Sequence, residues 1–180
     1  MFDETSALGR MARGLAMALA IAGGMVLVAM VALVVVSIVG RALIFVGLRP
    51  VTGDYELVSI GMGFAVFAFM PWVHLERGHA MVTLLTDRFP TIVNAWILVV
   101  TDLLMLAAAS FVAWRLYDGM LDKFAYRETT LLLRFPLSWA YAAGLVGALG
   151  WVLVALVVFG RSLCNALQGR LESRRLGGEL

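Results

Sequence analysis

The chain has 180 residues, of which 62% are hydrophobic and only 14% are charged. Soluble globular domains are about half apolar and about one-quarter charged, so this composition excludes a soluble domain. The formal net charge of +2 comes from scattered basic residues without a clustered patch. Nucleic acid is therefore not an expected partner, and binding to acidic lipid headgroups accounts for the positive charge.

Long apolar stretches that are almost free of charge fill most of the chain. A helix needs about 20 residues to cross a hydrocarbon core of about 30 Å, and each stretch has about that length. Because the stretches are continuously apolar and do not alternate, they predict helices and not barrel strands. The sequence predicts an all-α membrane protein with one domain over residues 1–168 and four transmembrane helices at about residues 15–40, 56–75, 90–114 and 136–160.

The first stretch follows Arg10 and Arg13, a pattern that also opens secretory signal peptides. Its apolar length far exceeds the core of about 7 to 15 residues in such peptides, so we expect an uncleaved first span. Four spans place both termini on one side, and the basic residues that flank the spans favour the cytoplasm for that side. Residues 169–180 are predicted to form a disordered cytoplasmic tail. The single cysteine, Cys164, cannot form an internal disulfide.

The connections between the stretches carry helix-boundary signals. Asp54 is predicted to be the N-cap of the second helix, with Glu56 in the first turn complementing the helix dipole. Pro71 is expected to kink or end that helix because it lacks an N–H. Arg115 and Asp118, three residues apart, predict that the third helix continues past the bilayer for a turn or two.

Asp102 is the one acidic residue deep inside an apolar stretch, near the middle of the third span. A carboxylate at such a position costs about 2.5 to 3.5 kcal/mol, so it needs a partner. One interpretation is a proton or cation relay, and the other is a hydrogen-bonded anchor that faces Thr101, Ser110 or another subunit. The anchor is favoured because a relay needs further acids or histidines at similar depth, which the sequence does not supply.

His74 and His79 flank the end of the second span and raise the question of a metal or haem site. They are five residues apart, so they do not share a helical face as histidines four apart do. A membrane haem also needs histidines on facing helices. No metal or other cofactor is predicted. Nor is an enzyme, because the sequence lacks a nucleophile elbow, a phosphate-binding loop and a zinc-protease motif.

Small residues recur at four-residue spacing in the fourth span, as Ala140, Gly144 and Ala148, and in the second, as Gly61 and Ala65. Such spacing lets two helices approach closely. Two interpretations stay open: a docking face for another membrane subunit, or ordinary packing within the four-helix bundle.

A distinctive segment follows the second span and reads Glu76-Arg77-Gly78-His79-Ala80-Met81-Val82. Three other places accompany it: Arg41 closes the first span, residues 54–57 read Asp-Tyr-Glu-Leu, and residues 129–141 carry a Thr, a Pro and a Tyr at the entry to the fourth span. In this order, over about residues 10–165, these features resemble the small membrane subunit, of the DctQ type, of tripartite ATP-independent periplasmic (TRAP) transporters. Thr83 stands where the family often has an acid, and Tyr55 separates the paired acids.

The resemblance implies a subunit of a secondary transporter in the bacterial inner membrane. A periplasmic binding protein would deliver an organic acid, and a large membrane subunit, supported by this chain as a scaffold, would couple its uptake to sodium. The residues expected to contact the large subunit are Arg41, Glu56, Arg77, His79, Asp102, Ala140, Gly144 and Ala148. Those expected to contact the binding protein are Arg49, Asp54, Lys123, Arg127 and Glu128.

Two other functions stay open from the sequence. The chain is also compatible with a self-sufficient, homo-oligomeric small transporter that uses Asp102 as its coupling carboxylate. A third interpretation is a membrane anchor for a redox complex, which would bind haem or quinone.

Overall fold

The computed structural model describes residues 7–76 and 91–167. Four long helices make up most of this part: α1 at Ala7–Ala42, α2 at Asp54–Leu75, α3 at Thr91–Ala125 and α4 at Leu137–Leu167. Each is long and apolar enough to cross a membrane, which confirms the predicted all-α membrane fold with four transmembrane helices.

The remaining local structure is short. A 3-10 helix at Ile44–Val46 lies between α1 and α2. Over residues 7–76 and 91–167 there is no β-strand, and an isolated antiparallel bridge joins Thr129 to Pro136. The tail that we predicted at residues 169–180 lies outside the described residues, and the cytoplasmic location of both termini stays a prediction.

Two of the helices extend well beyond the apolar stretches that predict them. α1 begins at Ala7, eight residues before the predicted span, and α3 continues to Ala125, eleven residues past it. The third helix therefore continues past its apolar stretch, and Arg115 and Asp118 form an ion pair on this part, with Nη1 and Oδ2 3.7 Å apart. That this part lies beyond the bilayer stays a prediction. Helical hydrogen bonding therefore continues where the hydropathy changes.

α4 is the central helix, since it packs against α1, α2 and α3, whereas α3 packs mainly against α4. Ala12 of α1 lies in one apolar cluster with Val158 of α4, so the start of α1 and the end of α4 share one end of the bundle. We call this the terminal end. The opposite end carries the connections at residues 43–53 and 126–136, and we call it the loop end.

Glycine and alanine residues let α4 approach α2 closely. A Cβ atom added at Gly147 would lie 2.7 Å from the carbonyl carbon of Phe67 and 3.0 Å from the amide nitrogen of Ala68. Ala65, Ala68 and Ala148 have almost no exposed surface. In lipid, helices associate mainly through van der Waals packing, so this close contact stabilises the bundle.

Pro71 was expected to kink or end the second helix, and the helix does not end there. α2 continues one more turn, to Leu75, and Pro71 is buried against α4, where its Cγ lies 3.6 Å from a Cβ built on Gly150. A proline within the last turns of a helix removes only one hydrogen bond, and the packing against α4 compensates for that loss.

Substitution of Gly147 by alanine should destabilise the isolated chain. The added methyl group meets backbone atoms of α2, which cannot rotate away, so we expect a loss of about 1–3 kcal/mol and a thermal unfolding midpoint several degrees lower in detergent. Gly160→Ala is the matched control in the same helix, because its added Cβ meets nothing within 4 Å. An unfolding midpoint of Gly147→Ala equal to that of Gly160→Ala would contradict the close approach of α2 and α4.

Candidate functional site

Most of the predicted contact residues gather at the loop end, beginning with a polar network between α1 and α2. The Ser37 hydroxyl donates to Oδ2 of Asp54 at 2.5 Å, and Nη2 of Arg41 donates to the same oxygen at 3.2 Å. Ser37 is buried, while the side chain of Arg41 is largely exposed. The carboxylate of Asp54 thus joins the last turns of α1 to the first turn of α2.

We predicted that Asp54 is the N-cap of the second helix, and this prediction is wrong. Gly53 occupies that position with a φ of 77°, and Asp54 is the first helical residue. Its Oδ2 is held by side chains of α1, while its Oδ1 accepts a hydrogen bond from the N–H of Tyr55 at 2.8 Å. Competition from Ser37 and Arg41 explains the difference, since the carboxylate is directed toward the neighbouring helix.

Glu56 holds the α3–α4 connection against the start of α2. Its Oε1 accepts a hydrogen bond from the N–H of Leu132 at 2.7 Å, and its Oε2 accepts one from the N–H of Leu133 at 3.0 Å. The side chain of Leu133 also covers Gly53, where an added Cβ would lie 2.5 Å from the Leu133 Cγ. Sequence reasoning missed this role, because an acid in the first turn of a helix is also explained by the helix dipole.

The connection itself begins with an ion pair. Nζ of Lys123 and Oε2 of Glu128 are 2.7 Å apart, so these two predicted contact residues neutralise each other. Arg127 has a left-handed backbone with a φ of 48° and is exposed, as is Arg49 in the connection between α1 and α2. Among the residues expected at the binding protein, the two arginines therefore project most freely into the surroundings.

Asp102 and Ser162 meet in the interior of the bundle between α3 and α4. The Ser162 hydroxyl donates to Oδ2 of Asp102, and both side chains are buried. Thr101, one of the partners that we considered, instead donates to the carbonyl oxygen of Ile97 at 2.9 Å. Ser162 lies just past the fourth predicted span, at the terminal end of α4. Asp102 is paired with it, so Asp102 also lies close to the terminal end of the bundle, although it is in the middle of the third predicted span. The pairing supports the anchor interpretation.

The two histidines can be followed only in part. His74 is buried at the terminal end of α2. His79 and Arg77 lie outside the described residues. In the part of the chain that the structure describes, no group of three or more His, Cys, Asp or Glu side chains is arranged to hold a metal ion.

The small residues of the fourth span pack within the chain. An added Cβ at Gly144 would lie 3.3 Å from Cδ2 of Phe67 and 3.5 Å from Cδ2 of Leu116, which belong to α2 and α3. Ala148 is fully buried and Ala140 is half-buried. Packing within the bundle already accounts for Gly144 and Ala148. Contact between this stripe and another subunit stays a prediction, with Ala140 as its accessible member.

Comparison with known proteins identifies the family. A family model described as "Tripartite ATP-independent periplasmic transporters, DctQ component" matches residues 30–165. The chain belongs to the DctQ family. The match covers most of the chain, including the Asp54 network, Glu56 and the Asp102–Ser162 pair. It confirms the resemblance to this family that the sequence motifs indicate. DctQ is a family of transporter components and not of enzymes. No curated protein and no solved structure matches this DctQ chain.

Replacement of Glu56 by alanine should loosen the α3–α4 connection. The N–H groups of Leu132 and Leu133 lose their acceptor, so limited digestion with trypsin should cut after Arg127 and Arg134 severalfold faster than in the unaltered chain. Glu76→Ala serves as the control, because it removes an exposed ion pair with Arg13 at the terminal end. Equal cleavage rates in the two variants would show that Glu56 does not hold this connection.

Proposed function

We propose that this DctQ family member is the small scaffold subunit of a TRAP transporter in a bacterial inner membrane. The large membrane subunit carries the substrate and sodium sites, and a periplasmic binding protein delivers an organic acid to it. The observation that carries the proposal is the family match over residues 30–165. The transport step takes place in the partner, and this chain stabilises the partner in the membrane.

Asp54 and Asp102 are hydrogen-bonded to side chains of this same chain, and this supports a scaffold role. A transport pathway needs polar groups that converge on a cavity within the membrane. Here Asp54 is held by Ser37 and Arg41, and Asp102 is held by Ser162. Among the residues that the structure describes, no charged side chain lines the open groove of about 440 Å³ along α2; the lining residues are Val58, Ser59, Met62, Gly63, Val66 and Phe67.

The contact residues at the loop end divide into two groups under this proposal. Glu56 and the carboxylate of Asp54 hold the connections in place, so they act on a partner through the shape of the loop end. Arg41 keeps most of its side chain exposed and is available to the large subunit. The proposed contacts of Arg77 and His79 with the large subunit rest on the motif alone.

With both termini in the cytoplasm, the loop end faces the periplasm and meets the binding protein. Arg49 and Arg127 are exposed there. Charged side chains at the rim of a transient interface mainly steer association. The two arginines therefore serve the encounter with the binding protein, while the Lys123–Glu128 pair supports the connection that carries Arg127.

The proposal is tested in proteoliposomes from which one transporter component at a time is omitted. The probe is a radiolabelled organic acid, chosen from a panel of mono- and dicarboxylates by its thermal stabilisation of the candidate binding protein. We expect uptake driven by a sodium gradient only when the binding protein, the large subunit and this chain are all present. Uptake by this chain alone would establish the self-sufficient transporter with Asp102, and a haem absorption band in the purified chain would establish the redox anchor.

Charge reversal at Arg49 should weaken uptake more than assembly. Arg49→Glu opposes the encounter with the binding protein, so uptake at a low concentration of binding protein should fall severalfold while co-purification with the large subunit is unchanged. Arg10→Glu is the control, since Arg10 is also exposed but lies at the terminal end. An uptake rate in Arg49→Glu equal to that in Arg10→Glu would argue against the contact.

A further inference from the structure

Arg115 and Asp118 form an exposed ion pair on α3. Their side chains are 64% and 38% exposed, and Nη1 and Oδ2 are 3.7 Å apart. Both residues follow the third apolar stretch, and for that reason the sequence predicts that they lie beyond the bilayer. The packing of α3 against α4 gives them a different depth.

The depth follows from contacts at Gly144. A Cβ built on this glycine lies 3.3 Å from the ring of Phe67 of α2 and 3.5 Å from the side chain of Leu116 of α3, whereas the backbone of Phe67 meets Gly147, three residues further along α4. Because α2 and α4 run in the same direction, Gly144 and Leu116 are level with about residue 64 of α2. Residue 64 is about ten residues from the start of α2 and about eleven from its end. At a rise of about 1.5 Å per residue, this level is about 15 Å from the loop end of α2 and about 16 Å from its terminal end. Arg115 and Asp118 flank Leu116 and are therefore level with the interior of the α2 span.

An ordinary tilt of the bundle does not bring the pair to the headgroups. α2 and α3 both pack against α4. The axes of packed helices are about 8–10 Å apart, so the axes of α2 and α3 are at most about 20 Å apart. A typical tilt of about 20° changes the relative depth by about 7 Å over that distance. This shift is smaller than the distance of about 12 Å between Asp118, the member of the pair nearer the loop end, and the level of the start of α2.

The pair belongs to a stripe on the outer face of α3. Phe111, Arg115, Asp118 and Asp122 are separated by four, three and four residues, which places them on one side of a helix. The opposite side, with Ala95, Val99, Ala109 and Ala113, is buried in the bundle. The stripe is therefore turned away from the other described helices.

We propose that this stripe, Phe111, Arg115, Asp118 and Asp122, docks against a transmembrane helix of the large membrane subunit. Acyl chains offer no hydrogen bond to a guanidinium or a carboxylate, and exposure of both groups to lipid at this depth is costly. A facing helix with hydroxyl, amide or charged side chains at the same depth satisfies them. The inference rests on the proposed function and names the face through which the scaffold acts.

The first test replaces the pair by apolar residues. In Arg115→Leu/Asp118→Leu, recovery of the large subunit by co-purification should fall by about tenfold or more, because its facing polar groups lose their partners. Arg13→Leu is the control, since Arg13 also belongs to an ion pair 3.7 Å apart and its side chain is 55% exposed, but it lies at the terminal end. The thermal unfolding midpoint of the isolated chain should be unchanged or raised in both variants, which separates docking from folding.

The second test identifies the occupant directly in the assembled complex. Benzoylphenylalanine at Phe111, which is 58% exposed, should form an adduct with the large subunit on irradiation, while the same probe at Met25 of α1, which is 64% exposed, should not. The inference is overturned by an adduct between two copies of this chain at Phe111, by an adduct with the large subunit only from Met25, or by normal co-purification of the leucine variant. Absence of any co-purifying large subunit with the unaltered chain would instead overturn the proposed function.

Discussion

The requirement that polar groups inside a membrane find partners within protein controls this structure. Lipid supplies no hydrogen bonds, so each buried polar side chain on a span must be met by another element of the protein. Ser37 and Asp54 meet between α1 and α2, and Ser162 and Asp102 meet between α3 and α4. These pairs lie toward opposite ends of the bundle. Together they fix how neighbouring helices are placed along their axes, which apolar packing alone specifies weakly.

The same environment explains why small residues occupy the centre. Helices in lipid do not gain stability from removing apolar surface from water, so they depend on close packing. At Gly147 the backbones of α4 and α2 approach until no side chain fits between them. α4 also packs against α1 and α3, and it is the helix whose displacement would disturb the most contacts. A closely packed bundle of this kind fits the proposed scaffold role.

The sequence predicts the number and class of the helices well because hydropathy reports the surroundings of each segment separately. The family is also predictable, since the motif beginning at Glu76 is local in sequence. The partners of Glu56 and Asp102 are not predictable from the sequence. The partners of Glu56 lie 76 and 77 residues away and that of Asp102 lies 60 residues away, and each acid also has a sufficient local explanation. The stripe at Ala140, Gly144 and Ala148 shows the same limit, since its spacing predicts close packing but not the identity of the neighbour.

The third helix shows most clearly what hydropathy along one segment leaves out. Its apolar stretch ends at Trp114, yet Leu116 lies beside Gly144 of α4 and at the level of the Phe67 ring, well inside the span of α2. The apolar part of α3 is therefore displaced toward the terminal end relative to the apolar parts of its neighbours. In a self-contained bundle such a displacement would be selected against, because it brings charge into the hydrocarbon. In a subunit whose outer face is completed by another protein, the same charges specify where that protein binds.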